Sequence, residues 1–147
     1  MRIAVFVRAA VLVLVAGAAL AQTAPTPQAN RRVGTMKDLM SKIIYPTSDA
    51  VFYISTRTPK TDAEWAELQA KTLMLAESGN LLLMQGRRRD DERWVADTKL
   101  MIDAGASAFA AATSKDVDAL VALNDALYES CVTCHRHYRP NYGRGRP

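Results

Sequence analysis

Near its C-terminus the chain carries an apolar stripe that runs directly into two cysteines and a histidine. Val117, Leu120, Val121, Asn124, Leu127, Tyr128 and Cys131 recur three and four apart, the spacing of one helix face. The stripe continues into Cys131-Val132-Thr133-Cys134-His135, whose two cysteines and histidine fall at i, i+3 and i+4. Those positions share a face, so all three side chains should point the same way. A Cys-x-x-Cys-His run is the attachment pattern of a c-type haem, with two thioethers at the porphyrin edge and the imidazole on the iron. On a helix that needs a buried face, this places the cofactor inside a helical core and makes it part of the fold.

Two other chemistries use paired cysteines. A zinc site needs further thiolates or a second pair of ligands, and the chain has two Cys and two His, with His137 too close to His135 to form a separate arm. A redox dithiol normally opens a helix after a strand, and nothing strand-like precedes Cys131.

The N-terminus supports the haem reading. Arg2 and Arg8, the apolar run Val11 to Leu20 and the small-x-small triplet Ala19-Leu20-Ala21 form the pattern of a secretory signal, residues 1–21. The chain is therefore expected to be periplasmic, on the side of the membrane where bacteria attach c-type haem. The apolar stretch is short for a membrane span and no later segment is longer, so an integral membrane protein is not expected. Losing Arg2 and Arg8 lowers the net charge from +4 to about +2. The remaining cations are not gathered on one predicted helix face, which argues against nucleic acid as a partner.

Residues 22–32, with Pro25 and Pro27, read as a polar linker, 33–139 as one domain, and 140–147, rich in Gly, Arg and Pro, as a flexible tail. The domain pattern is helical throughout. A first helix is expected from near Val33, with Met36, Met40, Ile43, Ile44, Val51, Phe52 and Ile54 on its apolar face. Pro46 should kink or restart it, with Thr47, Ser48 and Asp49 serving the freed backbone groups. Thr61-Asp62-Ala63-Glu64 reads as a capping box. It opens a second helix whose seam is Trp65, Leu68, Thr72, Leu75, Gly79 and Leu82, ending near Gly86. The third helix carries Trp94, Thr98, Met101, Gly105, Ala108 and Ala112. Small residues from Ala104 to Ala112 permit close approach of a neighbouring helix or of a flat cofactor. Between these helices, Arg87-Arg88-Arg89-Asp90-Asp91-Glu92 reads as a charged turn matched to the two helix dipoles rather than as a docking site. The expected fold is all-α, an antiparallel four-helix bundle with haem attached near the C-terminus.

Cys131, Cys134, His135, Tyr138 and Arg139 together resemble the C-terminal pattern of the cytochrome c prime superfamily, the c-type cytochromes built as four-helix bundles. The likeness covers the domain in helix order and is specific at those five positions. The stretch Leu39-Met40 followed by Pro46, Asp49 and Phe52 is also similar to exported cytochromes of that superfamily. The resemblance implies one haem c per chain, held by Cys131 and Cys134, with His135 as the proximal iron ligand. It offers Arg139 as a partner for a haem propionate or else as a solvent-facing cation. Tyr138 is expected to pack, and His137 to be exposed. It also allows a homodimer through the first two helices.

The other face of the iron separates two functions in that superfamily. A methionine from the first helix gives six-coordinate iron suited to electron transfer between redox partner proteins. An apolar blocking residue leaves five-coordinate iron that binds nitric oxide or carbon monoxide. Met40 matches the Leu-Met…Pro pattern, and Met36 lies four residues after Arg32, where high-spin members carry their blocking residue. Both also suit plain packing against a porphyrin. Met101 is expected in the core. No further histidine lies in the helical part to act as a distal base, so no enzyme activity is expected. A mono-haem electron carrier is the leading expectation, a gas-binding cytochrome c prime the second, and a haem-free helical thiol-redox or scaffold protein the third.

Overall fold

The computed structural model describes residues 31–89, 92–139 and 141. The expected leader, the linker apart from Arg31 and Arg32, and the tail apart from Asn141 lie outside them. The chain is all-α: every regular element among the described residues is helical. These are α1 (Met36–Leu39), a π turn (Met40–Ile44), α2 (Tyr45–Phe52), α3 (Asp62–Leu83), α4 (Glu92–Thr113), α5 (Val117–Ala122) and α6 (Asn124–Tyr138). The backbone stays right-handed helical through the π turn and across Leu123, so the seven elements make four helical segments. No helix among the described residues is long and apolar enough to cross a membrane.

The first segment starts at Met36, three residues later than expected, because Thr35 caps it. Its hydroxyl accepts from the Asp38 N–H at 3.1 Å while Asp38 accepts from the Thr35 N–H at 3.0 Å. Val33 stays outside and is solvent-exposed. Pro46 stands in the first turn of α2, where the α register restarts as expected. The register widens before it, and the Tyr45 N–H reaches back five residues to the Met40 carbonyl. Thr47 donates to the carbonyls of Ile43 and Ile44, and Ser48 to that of Tyr45, rather than to the Lys42 carbonyl that Pro46 leaves without its N–H. Asp49 departs from expectation and accepts from Arg57 at 2.7 Å. Leu39, Ile44, Val51 and Ile54 form the buried face.

The Thr61 capping box is formed at both ends, and the Glu64 carboxylate also accepts from the Lys60 N–H at 2.6 Å. These backbone donors hold the Glu64 carboxyl below its ordinary range. All six expected seam residues of α3 are buried, as are all six of α4. The helices run close enough that glycine is required between them. A Cβ on Gly105 would lie 2.8 Å from the Ala76 nitrogen and 2.9 Å from its Cα. The small residues of α4 are thus used on a neighbouring helix. The Trp94 indole N–H donates to the Leu82 carbonyl at 2.9 Å, satisfying an acceptor in the last turn of α3.

The last segment corrects two expectations. Leu120, Leu127 and Ser130 are buried, whereas Val121 and Tyr128 are 41% and 58% exposed. Residues seven apart lie almost in line along a helix, so Leu120, Leu127 and Cys134 mark the seam. Val121 and Tyr128 then sit about 100° away from it. Lys115, at φ 56°, turns the chain into this segment, and the Asp116 side chain caps it by accepting from the Ala119 N–H at 2.9 Å.

Candidate functional site

One cleft gathers side chains from all four segments. The last segment supplies Ser130, Cys131, Cys134 and His135. α4 supplies Asp97, Thr98 and Met101, α3 supplies Leu82, and the π turn supplies Met40 and Ile44. The spacing argument for Cys131, Cys134 and His135 is thus realised on α6, where all three are half-buried. The helix reaches Tyr138, whose ring packs edge-on against Trp94 at 4.7 Å. That contact anchors the end of α6 to α4 and gives Tyr138 the packing role expected of it.

Both cysteines are free thiols. Burial pushes both up, and Cys134 stands at about 11 because the Asp97 carboxylate adds to the burial. They therefore stay protonated at neutral pH. Reactive dithiols work the other way, from depressed values in electropositive surroundings. Burial, then the Arg139 charge, holds His135 below the ordinary histidine range. Its imidazole is neutral, the form that can donate a lone pair to a metal.

Among the described residues no three His, Cys, Asp or Glu side chains gather as a metal site. A bare ion held by protein would need such a group. Haem iron takes its equatorial bonds from the porphyrin and asks the chain only for axial ligands. The lining of the cleft suits such a group in two respects, although at about 40 Å³ the cleft admits a porphyrin only if its walls move apart. Met40, Ile44, Leu82 and Met101 give it largely apolar walls. Among them Thr98, 1% exposed, presents a hydroxyl with no hydrogen-bond partner. Buried polar groups are rarely left so, and a carboxylate-bearing ligand would answer it.

The two candidate methionines part company. Met40, the first residue of the π turn, lines the cleft with His135. Met36 lines a different hollow, with Arg32, Gly34 and Arg87. Met101 is buried and borders the cleft from α4. Arg139 caps α6 through its N–H to the His135 carbonyl at 2.8 Å, and its side chain is exposed.

Two residues of the region escape a reading by motif. Asp97, 5% exposed, meets His137 Nδ1 at 2.6 Å, so His137 lies at the surface but is tied to α4. The signal was a carboxylate beside Trp94 and Thr98 on an apolar stripe, since a buried acid requires a partner. Arg87 is the other. Its guanidinium donates to the Gly34 carbonyl at 3.2 Å and the Leu81 carbonyl at 3.3 Å, so this part of the charged turn is a buried strut rather than a dipole partner.

No family model, curated protein or solved structure matches the chain. The site stands on its own residues.

Proposed function

We propose that this chain is an exported, periplasmic mono-haem c-type cytochrome, an antiparallel four-helix bundle that carries single electrons between redox partner proteins. The observation that carries the reading is the shared cleft: Cys131, Cys134 and His135 border the same space as Met40. Cys131 and Cys134 would hold the haem as thioethers, each thiol adding across a vinyl group with its hydrogen passing to the vinyl carbon. His135 would be the proximal ligand, Met40 the distal one, and Arg139 a cation near a propionate. Haem so held supplies a one-electron iron couple, and Met/His ligation raises its potential. Ile44, Leu82 and Met101 would surround the group with apolar side chains. The neutral state of His135 means that no proton competes for the ligating nitrogen.

A pyridine haemochrome spectrum of periplasmic protein tests the cofactor, and a haem-free product overturns the whole reading. The spectrum of the oxidised protein tests the ligand. Wild type and Met36→Ala should show a methionine-to-iron band, and Met40→Ala should lose it and turn high-spin. A high-spin wild type that readily binds carbon monoxide would replace electron transfer with gas binding.

A further inference from the structure

Beside the cleft, and sharing no lining residue with it, lies a hollow walled by arginines. Four of its lining residues are Arg32, Arg87, Arg88 and Arg89, and two of the rest are Gly34 and Gly86. Arg87 differs from the others because it is 8% exposed. Its acceptors are two backbone carbonyls and the Met84 sulfur at 3.1 Å. No carboxylate pairs with it among the described residues. Its Nε–H is buried without any acceptor. Carbonyls and a thioether solvate a guanidinium partially but carry no countercharge. A buried cation without one is costly, so the arrangement calls for an anion.

The rest of the hollow agrees with that. Arg32 is drawn over the turn by a 2.8 Å bond from its Nη1 to the Gly86 carbonyl. The turn can receive it because Gly86 sits at φ +81°, and a Cβ there would already stand 3.4 Å from the Arg32 Nε. Arg32 and Arg87 thus both line one opening, and guanidinium donors suit the oxygens of an oxoanion.

We propose that this hollow is a binding site for a small phosphate-type oxoanion, with Arg87 as its buried anchor and Arg32 as its outer clamp. It is independent of haem, since neither cysteine nor His135 borders it. The test is calorimetric titration of the purified protein with inorganic phosphate, ionic strength held constant with sodium chloride. Wild type should bind one phosphate per chain saturably. Arg87→Met should weaken binding at least tenfold, and Arg32→Gln several-fold. Absence of saturable binding by wild type overturns the site, and so does undiminished binding by Arg87→Met. Should Arg87→Met not fold, the outer residues decide. Binding weakened by Arg32→Gln or Arg89→Gln supports the site, and binding unchanged in both overturns it. Each variant's haem spectrum is recorded in parallel, so a failed cofactor reading and a failed anion site are told apart.

Discussion

Replacing Gly105 with alanine sets two known effects against each other at a close approach of α3 and α4. Alanine is favoured over glycine in a helix interior by about 1 kcal/mol. The new methyl, however, would stand 2.8 Å from the Ala76 nitrogen, 2.9 Å from its Cα and 3.2 Å from its Cβ. Comfortable carbon contacts lie at about 3.5–4.0 Å. Two of the three obstructing atoms are backbone, so no rotamer change relieves them and α4 must move away. Overpacking typically costs about 1–3 kcal/mol. With the unyielding backbone placing this site at the upper end, the net loss should be about 1–2 kcal/mol. Gly79→Ala probes a second close contact between the same helices. Its methyl would collide with Ile102 Cγ1, next to the branch point of a side chain that is stiff at χ1 in a helix, so this variant too should be destabilised. Urea unfolding of the three proteins, with unchanged slopes, reads the difference directly. The melting temperature of Gly105→Ala should fall by roughly 4–8 °C. Gly105→Ala as stable as wild type would refute the backbone-to-backbone contact.

Trp94→Phe removes the donor to the Leu82 carbonyl and leaves that buried acceptor unmet, which should cost about 1–3 kcal/mol in the same unfolding assay. In a chain produced without haem, His135 should make stability pH-dependent. Its folded value lies below the ordinary one, so between the two values the unfolded chain binds the proton and the folded chain does not. Stability from this group is therefore complete above the ordinary histidine value of about 6.5 and is lost as pH falls from there through the folded value. The slope attributable to this group should vanish in His135→Gln.

Much of the helix architecture was legible because its signals are local. The Thr61 capping box and the seams of α3 and α4 depend on residues within a few turns of one another, and each formed as its spacing implied. The common face of Cys131, Cys134 and His135 was legible for the same reason, since i, i+3 and i+4 share a face whatever surrounds them. What escaped depends on partners distant in the chain. Asp97 and His137 are forty residues apart, and Arg87 reaches back to Gly34 across fifty-three. No local pattern encodes such pairs, although a carboxylate inside an apolar stripe signals that one exists. Val121 and Tyr128 misled because they neighbour true seam residues, and a stripe drawn from apolar character alone is wider than the face that packs.

The π turn has a consequence for how the chain tolerates change. A π register holds one more residue per turn than an α register, so Met40–Ile44 behaves as a single-residue insertion absorbed without a loop. Everything before it is turned relative to α2 by roughly the angle of one helical residue, about 100°. Which methionine looks into the cleft is therefore an azimuth, and it depends on the register of the π turn. Shortening the turn by one residue would leave every cleft side chain chemically intact yet swing Met36 and Met40 around the helix axis together. In such a chain Leu39 would take the place of Met40, and the cleft would lose its methionine with neither Met36 nor Met40 mutated.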